Sequence, residues 1–296
     1  MKWEELTEEE FPEAIKKSGG VCVIPLGCLE KHGQHLPTGT DYFEAMDTVS
    51  EAASIEDAVI FPIGAWVGEV SCFHAFKDPE KVKFLGCIGI KQSTILTVLE
   101  EICDEIARNG FNKILFVNCH GGNIALLKHF IRCQSYEGKP YATMSTFALD
   151  FHATAPNRLI DTVRKRKKEF PYVTEEDVRT LENYRKTGYG GAHADFRETS
   201  LILAHDPSLV SPENYEKECG ISTHASDLLE KLGVDSPNQW LANFPASYEA
   251  FPPHGASESI GRLIRTLSAQ RLAKIFKTIK DDDTAVRISD TGNLFE

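Results

Sequence analysis

Apolar and polar positions follow two periods along the first half of the chain, and their alternation lays out a fold. Val21 to Leu26 is an apolar run of the length expected for a buried strand. From Asp41 to Ala53, the residues Phe43, Met46, Val49 and Ala53 recur at helical spacing. Ala58 to Ile63 predicts a second strand, closed by Pro62 and Gly64. Lys91 to Asn109 is the clearest helix, with Ile95, Val98, Leu99, Ile102 and Ile106 on one face and Gly110 placed to end it. Lys113 to Val117 reads as a third strand, Ile124 to Tyr136 as the next helix and Tyr141 to Phe147 as a fourth strand. Such alternation predicts an α/β fold with a mainly parallel central sheet covered on both faces. The irregular stretch from Trp66 to Gly89 is long for a loop in a compact chain, which points to a functional role.

The second half is less regular. A basic run from Arg158 to Lys168 precedes the acidic Glu175, Glu176 and Asp177, so residues 158–188 read as a solvated helical insertion of mixed charge. A patch for RNA or another anionic partner is the alternative reading of the same run. Gly188, Gly190 and Gly191 lead into His193, and Leu201 to Ala204 continues as a helix or short strand. Pro207 to Pro253 is irregular, with one helix near Ser226 to Leu232. A long helix from about Ser257 to Lys280 closes what is expected to be a single domain of residues 1–280, and residues 281–296 read as a flexible, exposed tail.

Composition narrows the function classes. The 296 residues suffice for a sizeable core. No apolar run is long enough to cross a bilayer, and the acidic start lacks the apolar core of a signal peptide, so a soluble cytoplasmic protein without a membrane partner is expected. Lys and Arg number 32 against 44 Asp and Glu, an excess of negative charge that argues against general nucleic-acid binding. Cys22, Cys28, Cys72, Cys87, Cys103, Cys119, Cys133 and Cys219 form no CxxC pair. They read as reduced thiols, with Cys22, Cys103 and Cys133 in core-like patterns.

Candidate chemistry lies in three segments beside glycine-rich turns. Glu30 and His32 follow the first strand two residues apart, so an extended backbone points both to one face. Gly33, Pro37 and Gly39 then turn the chain and can return Asp41 towards them. Two carboxylates and an imidazole suit a borderline divalent ion, or two ions sharing the aspartate. The same stretch also fits a polar loop, with His32 and His35 in ordinary hydrogen bonds. His120-Gly121-Gly122-Asn123 follows the third strand, and His193 with Glu198 forms the last segment. Glu30, His32, Asp41, His120 and Glu198 together exceed what one zinc ion needs and fit a two-metal site. Sites in α/β folds lie beyond the carboxyl ends of strands, where the first two segments stand. Trp66, Phe73, Phe151 and Tyr189 could stack on a planar ring, and each also fits a core role.

Pro25 to Pro37 followed by Asp41 closely resembles the opening motif of the creatininase (creatinine amidohydrolase) family. Asn118-Cys119-His120-Gly121-Gly122-Asn123 is similar to its second motif, and Gly191-Ala192-His193-Ala194-Asp195-Phe196-Arg197-Glu198-Thr199-Ser200 to its third. The resemblance implies a three-layer α/β/α sandwich, a binuclear metal centre, hydrolysis of carbon–nitrogen bonds and a homo-oligomer that is often hexameric. It implies two divalent ions, zinc paired with zinc, manganese or iron, and a small-molecule amide substrate. Carried over, Glu30, His32, Asp41 and His120 match metal ligands, with Asp41 as the bridge. Glu198 matches a glutamate that ligates a metal or orients the water, and His193 a histidine that transfers protons. His35 resembles a residue that orients a ligand, and Asn123 one that fixes the turn around His120. Three departures stand out. Gly122 replaces a ligating glutamate of creatininase proper, Asp195 replaces a glycine, and Phe84-Leu85-Gly86-Cys87-Ile88 lacks the proline and threonine of the usual loop motif.

The expected chemistry is attack by a metal-activated hydroxide on a small amide, cyclic amide or formamide, with His193 protonating the departing nitrogen. Glu198 could serve as base instead. Rival readings are a formamide hydrolase acting on a ring-opened nucleobase derivative, a peptidase trimming a modified peptide, and a catalytically silent metal-binding protein. A Cys119–His120 dyad is poorly placed, because adjacent side chains at a strand end face opposite ways.

Overall fold

A computed structural model describes residues 1–82, 84–188, 193–218 and 220–290. Tyr189, Gly190, Gly191, Ala192 and Cys219, and the end of the expected tail, lie outside the described residues. Four strands, β1 (Val21–Leu26), β2 (Val59–Ile60), β3 (Lys113–Asn118) and β4 (Ala142–Phe147), form one sheet in the order β2-β1-β3-β4. Every pairing is parallel. The sheet and its flanking helices give the expected three-layer α/β/α class. β2 is shorter than predicted because Pro62 has no N–H for a ladder; pairing ends one step past Ile60, where Phe61 N–H donates to the Val23 carbonyl at 2.9 Å. That early end also lets Pro25 sit in a central strand. Its nitrogen faces the side that β2 has already left.

Cα packing divides the chain into two compact units. The first comprises Met1–Glu30, Asp41–Phe151 and the chain from Arg265 onward; the second comprises Lys31–Thr40 and His152–Ile264. The first holds the sheet, with α1 (Phe11–Ser18), α2 (Thr40–Ile55, from Asp41), α3 (Gln92–Arg108), α4 (Asn123–Tyr136) and most of α10 (Glu258–Asp281). The helix α1 was not evident in the sequence pattern. Strand residues on one face, Cys22, Ile24, Leu26, Ile114 and Phe116, pack with Ile95, Leu99, Cys103 and Ile106 of α3 and with Leu126, Leu127 and Phe130 of α4. The alternate residues Val21, Val23, Leu115 and Val117 are equally buried, so both faces of β1 and β3 are covered and these two strands read as nearly continuous apolar runs. Arg265 of α10 ties to α2 through Asp47 at 3.1 Å and Glu51 at 3.0 Å. A further helix, α11 (Thr284–Ser289), follows α10.

The second unit resolves the expected insertion into α5 (Pro156–Lys165) and α6 (Glu175–Thr187). Three cations of the basic run are paired, Arg164 with Glu182, Arg166 with Glu169 and Lys167 with Glu175. Thr174 and Asp177 form a capping box at the start of α6. The Asp177 carboxylate also accepts from the Ser257 and Ser259 hydroxyls at 2.6 and 2.7 Å, which anchors α6 to the start of α10. Leu201 to Ala204 belongs to α7 (Phe196–His205). A Cβ on Gly261 would lie 1.8 Å from the Ser200 carbonyl oxygen, so glycine is what permits α10 to cross α7 this closely. α8 (Asp227–Lys231) matches the expected helix, and α9 (Gln239–Asn243) adds one that the irregular pattern concealed. Among the described residues no helix is long and apolar enough to cross a membrane.

Candidate metal centre

In the first unit, the register that sets Leu26 beside Asn118 ends β1 and β3 level, so the segments after them leave the same edge of the sheet. A Cβ on Gly27 would lie 2.3 Å from the Tyr42 nitrogen. This glycine lets the chain cross the first turn of α2 and brings Cys28 and Glu30 to Asp41. His120 comes from the β3 side. Its Nδ1 stands 3.0 Å from Glu30 Oε1 and 3.0 Å from Asp41 Oδ2. Its Nε2–H donates to the Glu69 carbonyl at 2.7 Å, which fixes the tautomer and directs Nδ1 at the two carboxylates. The Cys28 thiol donates to Asp41 Oδ2 at 3.1 Å.

Asn123 holds this arrangement. Its Nδ2 donates to the Gly27 carbonyl and to Asn118 Oδ1, each at 3.0 Å, and its Oδ1 accepts from the Glu69 N–H at 2.7 Å. One side chain therefore joins both strand ends to the strap that carries Glu69. Asn118 completes the turn, accepting from the His120 N–H at 3.1 Å and donating to its carbonyl at 2.6 Å. Burial by itself would drive the His120 ring neutral. The Glu30 charge, the Cys28 sulfur and the Asp41 bond outweigh it and hold the pKa well above the ordinary value. The Cys28 thiol is pushed up by burial and then by Asp41 and Glu30. The cluster thus demands positive charge at its centre.

In the second unit, His32 Nε2 lies 3.8 Å from Glu198 Oε2, and the His32 and His193 ring centroids are 4.2 Å apart. His193 donates its Nε2–H to the Lys31 carbonyl at 2.7 Å, the same device as at His120. His35 Nε2 pairs with Thr199 Oγ1 at 3.0 Å. Burial lowers the His35 pKa to about 4, helped by His32 and His193, so the ring is neutral near neutral pH. Asp195 accepts from the N–H groups of Arg197 and Glu198 and caps α7. The aspartate that departs from the family glycine therefore sets the helix turn bearing Glu198, at a φ of −94° that needs no glycine. Ala194, at φ 47°, takes the left-handed conformation instead and donates its N–H to Glu198 Oε2.

The same unit contains a cleft of about 720 Å³ lined by Asp227, Glu230, Lys231, Trp240, Phe244 and Glu249, among others. Trp240 lies edge-on to His193 at 5.4 Å and donates its indole N–H to Glu249 at 2.7 Å. It borders both the cleft and the histidine.

Each unit therefore gathers part of the residues singled out from the sequence: Glu30, Asp41 and His120 in one, His32, His193 and Glu198 in the other. Three features were missed. Cys28 stands two residues before Glu30, the spacing that on an extended backbone sets both on one face, and it joins Glu30, Asp41 and His120 in one cluster of potential ligand atoms. Glu69 lies in the long loop, and nothing in its local pattern marked its carbonyl as the His120 acceptor. Gly122 is needed because a Cβ there would lie 2.6 Å from both Glu69 Oε2 and His120 Nε2. The Cys119 thiol donates to Glu44 Oε2 at 3.2 Å while His120 turns to Glu30 and Asp41, in keeping with a poor dyad. Ile88 N–H donates to the Leu29 carbonyl at 2.9 Å, so the altered loop motif still braces the segment before Glu30. Of the candidate stacking aromatics, Trp66 and Phe151 are 45% and 49% exposed, so neither is core. Cys22 and Cys103 are buried in the core, whereas Cys133 is half-exposed.

A parallel α/β sheet with carboxylates and imidazoles at the carboxyl ends of its strands defines an α/β protein with a metal-suited site. The family model for creatininase, described as creatinine amidohydrolase, matches residues 4–276, and the chain belongs to that family. It is 32% identical over 123 residues to the mycofactocin precursor peptide peptidase of Mycolicibacterium smegmatis, covering 40% of this chain and 46% of that protein. It is 24% identical over 123 residues to the creatinine amidohydrolase of Pseudomonas putida, covering 40% and 44%. The matches thus span a little under half the length of these curated relatives. A crystal structure of creatinine amidohydrolase (creatininase) shares the fold at a TM-score of 0.68 and 21% identity, covering 95% of this chain and 98% of that one. Solved creatininases include a Zn–Zn and a Mn form.

Proposed function

We propose that the protein is a metal-dependent amidohydrolase that cleaves the C–N bond of a small amide, cyclic amide or formamide. Glu30, His32, Asp41, His120 and Glu198 would hold two divalent ions, zinc with zinc, manganese or iron, as the family resemblance implies. The observation that carries this reading is the His120 Nδ1 facing Glu30 and Asp41 oxygens at 3.0 Å each while its Nε2–H is spent on Glu69. Two carboxylates and a ring nitrogen aimed at one point call for positive charge between them, which a proton on Nδ1 supplies without metal and a divalent ion supplies in its place. The donor set fits a borderline divalent ion.

Two divalent ions supply a water of lowered pKa and a polarised amide carbonyl. The protein's own residues do the rest. His193 is the proton donor to the departing nitrogen: its Nε2–H is committed to Lys31, so Nδ1 is the atom that carries the transferred proton. Glu198, held by the Ala194 N–H and the capped start of α7, serves as ligand and as acceptor for the water's proton. His35, neutral and tied to Thr199, packs against this pair without adding charge.

The test is metal content and hydrolysis by wild type and His120→Ala, screened by release of ammonia, amine or formate. Wild type that retains no divalent ion after reconstitution, or a variant with normal hydrolysis, would overturn the reading. A second reading, trimming of a modified peptide, is favoured by the mycofactocin precursor peptide peptidase relative. New peptide termini in place of small-molecule turnover would select it. The protein is further taken to act as a homo-oligomer, for which the family resemblance is the support and light scattering the check of assembly.

A further inference from the structure

The first unit offers a donor that the metal reading above does not use. Cys28 is fully buried, and its sulfur belongs with a Glu30 oxygen, an Asp41 oxygen and a His120 nitrogen to a group of atoms all within 4.8 Å of one another. Tetrahedral zinc with one sulfur and three lighter donors sets its ligand atoms roughly 3.3–3.6 Å apart. The observed separations are 3.1 Å from Cys28 to Asp41 and 3.0 Å from His120 to each carboxylate. An ion would have to open these three pairs by only a few tenths of an ångström. Three different elements, sulfur, oxygen and nitrogen, converge there from a strand end, a helix start and a second strand end.

We infer that Cys28 is a metal ligand, the fourth donor to the ion held by Glu30, Asp41 and His120. The inference rests on the proposed metal centre and deepens it. On binding, the S–H bond to Asp41 gives way to an S–metal bond, the proton passes to solvent, and the Asp41 oxygen is freed for the ion. A thiolate shifts the preference of this position away from manganese, which favours oxygen donors, towards zinc or another softer ion.

Cobalt(II) reads sulfur ligation directly. The protein is stripped of metal, titrated with cobalt chloride, and its absorption followed for the sulfur-to-cobalt charge-transfer band in the near ultraviolet. The expected result is a saturable band in wild type, absent in Cys28→Ser although that variant still takes up cobalt, and retained in Cys119→Ser. Cobalt uptake without the band, or a band that survives Cys28→Ser, overturns the assignment of Cys28 and leaves the metal centre standing. No cobalt uptake by wild type removes the centre and this ligand together. In competition titrations, Cys28→Ser should reduce the preference for zinc over manganese by about tenfold or more; an unchanged preference counts against ligation. Cadmium-113 NMR of wild type needs no variant: a resonance at the shift of oxygen and nitrogen donors alone overturns the inference.

Discussion

The two ligand groups are built differently, and the contrast shows where the chain is rigid in its chemistry and where it is adaptable. Glu30 and His120 follow closely on the level ends of β1 and β3, and Asp41 lies in the first turn of α2. Asn123 and Asn118 lock them through four side-chain hydrogen bonds to neighbouring backbone. His32, His193 and Glu198 stand on connecting segments and a capped helix start. All five non-glycine residues with positive φ among the described residues, Ala194, His224, Asn238, Tyr248 and Glu249, belong to that second unit. Each left-handed residue costs about 1–2 kcal/mol, and such strain persists only where the surroundings impose it. The first group is anionic and asks for metal. The second is rich in imidazole and suits proton transfer and recognition.

The largest effect should come from the anionic group. His120→Ala removes a ligating partner that both carboxylates share, and metal affinity is expected to fall by at least about a hundredfold, since even the loss of an orienting residue costs 10–100-fold. Hydrolysis should fall with it. Metal analysis after dialysis checks this, and a variant that binds as tightly as wild type breaks the contrast at its root.

That group was also the more legible of the two in the sequence. The apolar run of β1 placed Glu30 just after a strand, and β1 and β3 were located to within a residue because a buried parallel strand leaves a continuous apolar signature; β4, a half-buried edge strand, was also located to within a residue. What stayed hidden was set by non-local contacts. The role of Glu69 comes from a backbone carbonyl, which any residue type supplies. α1 and α9 are short helices fixed by tertiary packing, a length at which local propensity decides little. Asp195 looked like a departure from the family motif until its capping bonds showed a position that needs no glycine. His193 and Glu198 were nameable from the resemblance, but the segment that surrounds them carries no periodicity from which its path could be read.

A comparable test of the second group acts on the segment that carries His32. Lys31 is buried and pairs with Glu218, with the Ala246 and Ser247 carbonyls at 3.4 and 3.3 Å. Glu218→Gln removes a negative charge paired with a buried cation, and a loss of about 3 kcal/mol is expected in urea unfolding. Were the two groups independent, cobalt uptake at the first would survive this change. A variant as stable as wild type would show that the Glu218 charge is not what holds Lys31 in place.

His35 gives a pH signature. Its folded pKa is lowered to about 4 by burial, with His32 and His193 adding to the effect. An unfolded histidine titrates near ~6.5. Between those values the unfolded chain binds more protons, so the contribution is fully present above the unfolded pKa and is lost as pH falls towards the folded one. At most about 3 kcal/mol is at stake. Urea midpoints of the metal-free protein should drop between roughly pH 7 and pH 5, and His35→Gln should flatten that slope. A slope that persists in the variant assigns it to other groups.

The smallest effect sharpens the contrast from the side of strain. Ala194 adopts φ 47° between His193 and Asp195, and its N–H, not its methyl group, makes the bond to Glu198. Ala194→Gly removes the left-handed penalty of about 1–2 kcal/mol. It also adds unfolded-state entropy worth about 0.4–1 kcal/mol in the opposite direction. A net gain of roughly 0.5–1 kcal/mol follows, a rise of a few degrees at most in Tm for a chain of this size. If Tm rises and turnover falls, the strained alanine was holding His193 and Glu198 in their working positions. A Tm that falls instead means the Ala194 side chain contributes packing that outweighs the strain, and positive φ in the second unit then marks tight packing and not a site kept under tension.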